Sequence, residues 1–110
     1  MENWPTGIDL LEYPVLDSTN AEAKRIAFKK ETNARTWVFT HKQTHGRGSR
    51  GRIWFSDRQN FTASYLFFPS GNIHEFAKRT FTTGLALFDA FVFSGVNPSK
   101  LKLKWPNDVL

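Results

Sequence analysis

Twelve residues, Gln43 to Trp54 (QTHGRGSRGRIW), hold the densest chemistry in the chain. The seven from Gly46 to Arg52 include three glycines (Gly46, Gly48, Gly51) and three arginines (Arg47, Arg50, Arg52). Glycine lets a backbone come close to a ligand and reach positive φ. Arginine offers a planar, permanently charged fork suited to carboxylate and phosphate. The combination describes a flexible basic loop that closes over an anion. A solvated loop without a ligand and a nucleic-acid patch use the same residues, and this stretch alone does not separate the three readings.

Two further clusters could work with the loop. Ser18-Thr19-Asn20 supplies hydroxyls and an amide just ahead of a helical run. Lys104-Trp105-Pro106-Asn107-Asp108 closes a strand. In it Lys104 can meet phosphate, Asp108 can hold a metal, and Asn107 can read a base edge or a sugar. The plainer reading of the first cluster is a helix cap, and of the second a surface turn with a half-buried tryptophan.

The literal pattern Gly-x-Gly-x-x-Gly at 46–51 is weak by itself. A dinucleotide fold needs a helix to open at its last glycine. Arg52-Ile53-Trp54-Phe55-Ser56 shows no helical stripe. A P-loop needs Lys-Ser/Thr after the last glycine, where this chain has Arg52-Ile53. A kinase loop needs a lysine on the following strand, and Phe61–Phe68 has none.

Six elements must position these residues. Ile8–Leu16 predicts an edge strand, since Pro14 cannot donate to a ladder. Thr19 and Glu22 have capping-box spacing and predict a helix from Thr19 to about Lys30. Ala23, Ile26 and Ala27 share its apolar face, and Arg25 falls on the polar face, where an exposed charge contributes little. Trp37–His41 and Phe61–Phe68 predict strands, the second ended by Pro69-Ser70-Gly71-Asn72. Ile73–Ser94 predicts one long helix whose stripe, including Phe81, Gly84, Leu85 and Phe88, reads as core. Gly95 and Pro98 end it. Leu101–Trp105 alternates as a half-buried strand, and Pro106-Asn107-Asp108 turns. The order predicts an α+β fold with a mixed β-sheet flanked by helices.

The chain has 110 residues, net charge +5, 40% hydrophobic residues and no cysteine. That suits one small domain with a core and an anionic partner. It excludes disulfides, thiol catalysis and Cys-based metal sites. The start lacks the basic region and apolar run of a signal peptide. No apolar run reaches the length of a membrane span, and the expectation is a cytoplasmic protein without a membrane partner. The end, an apolar Val-Leu after a turn, reads as the interior of a longer domain.

Ser18-Thr19-Asn20, then Gln43-Thr-x-Gly46-Arg47-Gly48-x-x-Gly51-Arg52-x-Trp54, then Lys104-Trp105-Pro106-Asn107-Asp108 resemble in order and spacing the catalytic domain of biotin–protein ligases. The resemblance covers nearly the whole chain. It implies the class II aminoacyl-tRNA synthetase/biotin ligase-like fold, with residues 1–110 the N-terminal part of one catalytic domain. It implies ATP-dependent activation of biotin to biotinoyl-5'-AMP, then transfer to a lysine of a biotin carboxyl carrier domain. Ser18, Thr19, Asn20 and Gln43 would hold the biotin head. Gly46 and Arg47 would meet its carboxylate and the α-phosphate. Gly48, Ser49, Arg50, Arg52, Trp54 and Asn107 would bind the nucleotide. Arg47, Lys104 and Asp108 would be catalytic, with Asp108 the Mg²⁺ ligand.

The chain departs from the family in two ways. Many members carry arginine where this chain has Ser49, and an arginine there could help retain the adenylate. The family's later biotin-contacting lysine, Gly-rich strand and small C-terminal β-barrel are not among these residues. The 110 residues alone are therefore expected to be inactive as a ligase. The DNA-binding helices of repressor-type members are not among them either, so no DNA binding is expected. The oligomeric state stays open, a homodimer included. The rival readings are a non-catalytic biotin or nucleotide binder and a basic nucleic-acid-binding module.

Overall fold

The computed structural model describes residues 3–57, 59–104 and 108–110. The chain divides into two compact units, residues 1–69 and 70–110.

The first unit is a β-α-β-β arrangement. Strand β1 (Ile8–Tyr13) pairs in parallel with β2 (Arg35–Thr40), and β2 pairs antiparallel with β3 (Thr62–Leu66). The sheet is mixed, as expected, with β1 at its edge. Helix α1 (Thr19–Phe28) connects β1 to β2 and packs on β2 and β3. Alternation decides what it covers. Thr36, Val38 and Thr40 are buried and stand opposite Leu66, Ser64 and Thr62. Ala23 and Ile26 of α1 complete the core with Val38, and Leu11, Tyr13, Leu16 and Leu66 pack around them. The intervening residues form an aromatic stripe on the other face, with Trp37 stacked on Tyr65 and Phe39 on Phe61.

The expected Thr19–Glu22 capping box is not formed. Ser18 is the cap, its hydroxyl accepting the Ala21 N–H at 3.2 Å. Thr19, one residue later, is only 3% exposed and its hydroxyl is used elsewhere. The helix ends at Phe28, two residues short of the expected Lys30, which has a φ of 54°.

In the second unit, the single expected helix is two pieces. Ile73–Glu75 is a 3₁₀ turn capped by Asn72, and α2 runs from Lys78 to Phe93. The Gly95 N–H bonds the Val92 carbonyl and the Val96 N–H bonds the Phe91 carbonyl, with Gly95 at φ 103°. This is the αL stop that glycine provides. Helix α2 packs on the short hairpin of β4 (Leu103–Lys104) and β5 (Asp108–Val109). The strand expected at Leu101–Trp105 begins at Leu103, and Asp108, expected in a turn, begins β5. Trp105, Pro106 and Asn107 lie outside the described residues. The stripe expected as core is largely uncovered: Gly84 is buried, whereas Phe81 is 46% and Leu85 49% exposed. Among the described residues of this unit, two strands of two residues each are too little sheet to cover a sixteen-residue helix.

Candidate functional site

The parallel pairing of β1 and β2 continues past both strands and builds the site. The Leu16 N–H bonds the Lys42 carbonyl at 3.0 Å, and the Thr44 N–H bonds the Leu16 carbonyl at 2.9 Å. The His45 N–H then bonds the Asp17 carbonyl at 2.7 Å. These bonds lay Gln43 alongside the start of α1.

The arginine-rich stretch is a hairpin. Arg47 and Ile53 bridge antiparallel. The Trp54 N–H bonds the Gly46 carbonyl at 2.9 Å, and the Gly48 N–H bonds the Arg52 carbonyl at 2.7 Å. Ser49–Gly51 makes the turn, with Arg50 at φ 60° and Gly51 at φ 72°. No α-helix starts at Gly51, as the sequence argued. Gly46 serves close approach, because a Cβ there would sit 2.7 Å from the Trp54 carbonyl oxygen and 2.7 Å from Gln43 Nε2.

The side chain at the centre is Gln43. Its Oε1 accepts the Thr19 backbone N–H at 2.8 Å and the Thr19 hydroxyl at 3.2 Å. Thr19 Oγ1 also bonds Ser64 Oγ at 2.8 Å. The Gln43 N–H in turn donates to Ser56 Oγ at 3.2 Å. Ser64 and Ser56 were not singled out in the sequence. The available signal was a small hydroxyl centred in the apolar run of Phe61–Phe68.

Ser18 is fixed by its cap bond and by its neighbour. The Asp17 carboxylate accepts the Ser18 N–H at 2.8 Å and a bidentate fork from Arg25 at 2.7 and 3.0 Å. Arg25 Nε also donates to Glu22 at 2.7 Å. The Arg25 hydrogen bonds, helped by the Ser18 N–H, hold the Asp17 carboxyl well below the usual carboxylate range. Arg25 is exposed, as its helical position suggested, and it is paired there with Asp17 and Glu22. Burial, then hydrogen bonding to Glu22, pushes the Tyr13 hydroxyl up.

Ser18, Thr19, Asn20, Gln43, Arg47 and Trp54 line one groove of about 300 Å³ floored by Phe61, Thr62 and Ala63. Gln43, Gly46, Arg47 and Trp54 also line an adjoining hollow of about 610 Å³ with Ile53 and Ser56. Arg47 is exposed and borders both. The arrangement offers hydroxyl and amide donors beside one exposed cation and one indole face, which suits a small polar ring carrying an anionic tail. Gly48 lies in the hairpin and Arg50 and Arg52 are exposed at its tip. The Ser49 side chain and Asn107 lie outside what is described. Lys104 and Asp108 belong to the second unit, where they are register partners across β4 and β5.

A divalent cation is implied by the resemblance. No three His, Cys, Asp or Glu converge among the described residues. A lone exposed carboxylate such as Asp108 suits Mg²⁺ that arrives on nucleotide phosphates and keeps most of its waters. The donor set fits that mode and not a protein cage. No helix among the described residues is long and apolar enough to cross a membrane.

A biotin–[acetyl-CoA-carboxylase] ligase of Paracoccus denitrificans is 40% identical over 94 residues, which span 86% of this chain and 38% of the relative. The Leishmania major biotin protein ligase in complex with biotin shares the fold, with TM-score 0.72 and 24% identity over 97% of this chain and 47% of that one. The Aquifex aeolicus biotin protein ligase in complex with biotin and ATP gives TM-score 0.67 at 30% identity, over 92% and 40% of the two chains. This chain thus spans less than half the length of these relatives. The model of the biotin/lipoate A/B protein ligase family matches residues 12–110, and the chain belongs to that family.

Proposed function

We propose that this chain carries the biotin- and adenylate-binding half of a biotin–protein ligase. The observation that carries the reading is the single groove in which Ser18, Asn20, Gln43, Arg47 and Trp54 meet. Ser18 keeps its hydroxyl proton for a ligand, because its oxygen already accepts from Ala21. Gln43, with Thr19 behind it, presents a held amide to the biotin ring. Arg47, beside Gly46, takes the biotin carboxylate and then the α-phosphate. Trp54 packs on the base, and Gly48, Ser49, Arg50, Arg52 and Asn107 bind the rest of the nucleotide.

The reaction joins two anions, so charge must be neutralised where they meet. The carboxylate attacks the α-phosphorus of ATP, the bond to pyrophosphate breaks, and biotinoyl-5'-AMP results. Fixed guanidinium charge stabilises the growing negative charge at that phosphorus. Lys104 and Asp108 serve the nucleotide, Asp108 holding Mg²⁺, which supplies Lewis-acid charge when bound. Closure of the 43–54 hairpin keeps water from the mixed anhydride. The acceptor is a lysine of a carboxylase carrier domain, and the setting is the cytoplasm.

Isothermal titration of the chain with biotin, with and without ATP and Mg²⁺, tests this. Saturable one-to-one biotin binding is expected. No heat with biotin, alongside a salt-sensitive interaction with nucleic acid, would replace the proposal with a basic binding module.

A further inference from the structure

Arg47 also borders a third hollow, a recess of about 500 Å³ that it shares with Asn20, Lys24 and His45. The recess lies against the start of α1, because the His45 N–H bonds the Asp17 carbonyl at 2.7 Å. The His45 ring is held by Thr44, whose Oγ1 lies 2.8 Å from Nδ1. Trp54 and Phe61 line the groove and do not line this recess. Among the described residues it offers no indole or phenyl face on which a base would stack.

Its charges are unequal. Asp17 is the one carboxylate among its described residues, and both of its oxygens are taken, Oδ1 by the Ser18 N–H and Arg25, Oδ2 by Arg25. Lys24 and Arg47 are exposed, and among the described residues neither has a carboxylate partner. Two cations thus face the recess with no anion to match them, in a chain of net charge +5.

The recess runs out onto a convex surface. Asn20, Lys24 and Phe28 stand four residues apart on α1 and share one outward ridge, each about 6 Å further along the axis. All three are exposed, Phe28 by 90%. A small ligand is enclosed by a concave site and does not reach from the recess to Phe28. A protein surface can, with acidic side chains on Lys24 and Arg47 and an apolar one on Phe28, the aromatic anchor and polar rim of an interface.

We propose that the Asn20–Lys24–Phe28 ridge of α1, with the recess at its head, is where an acidic face of the acceptor protein docks. The choice of occupant, the carboxylase carrier domain, rests on the biotin reading above and deepens it. Arg47 belongs to both the groove and the recess. A carrier seated on the ridge therefore brings its lysine to the end of the groove where the activated carboxyl lies.

The test is titration of the chain with the purified apo carrier domain of a biotin-dependent carboxylase, at low and at moderate salt, beside biotin titrations of the same samples. Lys24 and Phe28 are exposed and outside the groove, so their variants should bind biotin as wild type does. Lys24→Glu should weaken the carrier about tenfold, by less as salt rises. Phe28→Ala should weaken it about fivefold at either salt. Lys29→Glu makes the same change of charge off the ridge and should cost less than about twofold. If Lys24→Glu and Lys29→Glu weaken the carrier equally, the attraction is general and the ridge is not a site. If the ridge variants weaken a single-stranded DNA oligomer and leave the carrier unaffected, the surface serves nucleic acid and the proposal falls. Wild type that binds biotin but not the carrier overturns the docking surface alone. Wild type that binds neither overturns the biotin reading as well.

Discussion

The two units hold their residues by different means. In residues 1–69, α1 closes over one face of a mixed sheet, and its buried hydroxyls all have partners. Thr40 donates to the Tyr13 carbonyl at 2.9 Å, Thr36 to the Ala34 carbonyl at 3.0 Å, and Thr19 to Gln43. In residues 70–110, α2 has one buried residue, Gly84, and a stripe of half-exposed Phe and Leu. The first unit fixes a groove by a small apolar core plus long-range polar bonds. The second is a helix whose periodicity promises a core that the short hairpin under it does not supply. An apolar stripe reports what a helix is able to bury, and the amount it buries is decided by what lies against it.

The contrast breaks most simply at its apolar ends. Ile26 is 3% exposed, and Ile26→Ala should lower the unfolding free energy by about 2–5 kcal/mol. Leu85→Ala, at a half-exposed position of equal apolarity, should shift it by less than about 1 kcal/mol. Denaturant midpoints of the two variants give the comparison. Equal losses would mean that the α2 stripe is as well covered as the core of the first unit.

Within the first unit the site sharpens the contrast between charges. Arg47→Ala removes a charge-assisted contact to an anion, and biotin binding should weaken by about ten- to a hundredfold. Lys29→Ala, at the exposed C-terminal cap of α1, should change it less than about twofold. Titration calorimetry on both variants checks this, and matching affinities would remove Arg47 from the site.

The three loop glycines should part company in the same way. Gly46→Ala places a methyl 2.7 Å from a backbone carbonyl, which cannot swing away as a side chain can, so about 1–3 kcal/mol of stability should go. Gly51→Ala puts a Cβ at φ 72° and should cost about 1–2 kcal/mol. A methyl at Gly48 meets its nearest neighbour at 3.7 Å, ordinary contact, and Gly48→Ala should be close to neutral. A Gly48 variant as damaging as the Gly46 one would undo this ranking.

What was legible in the sequence was what repeats locally. The strands at 35–40 and 62–66, the face of α1 and the Gly95 stop follow from periodicity and turn chemistry. The first two motifs led to the groove because their residue types are unusual together. Where the reading failed, the decisive contact was distant. Ser18, Thr19 and Asn20 are all good caps, and Thr19 is excluded from the role by Gln43 and Ser64, 24 and 45 residues away. The Asp17 partner of Arg25 was not foreseen because it is eight residues back, outside helical pair spacing. Strand β5 was missed because two residues after a turn carry no period.

The smallest predicted effect concerns that Asp17–Arg25 pair. Both partners are over two-fifths exposed, so water screens them and the pair contributes little to stability. It still leaves a directional mark. The folded-state pKa of Asp17 is depressed, so its contribution is fully present above the ordinary value of 3.8 and is lost as pH falls toward the folded value. Stability should therefore decline as pH drops from about 5 to about 2. Asp17→Asn cannot titrate and should decline less steeply over that window, while other carboxylates set a common background. Because Asp17 also accepts the Ser18 N–H at 2.8 Å, its protonation loosens the residue that caps α1 and lines the groove. Biotin affinity should then fall with acid more in wild type than in Asp17→Asn. Thermal midpoints and biotin titrations across that range decide it, and parallel curves for the two proteins would show that Asp17 is not the group that titrates.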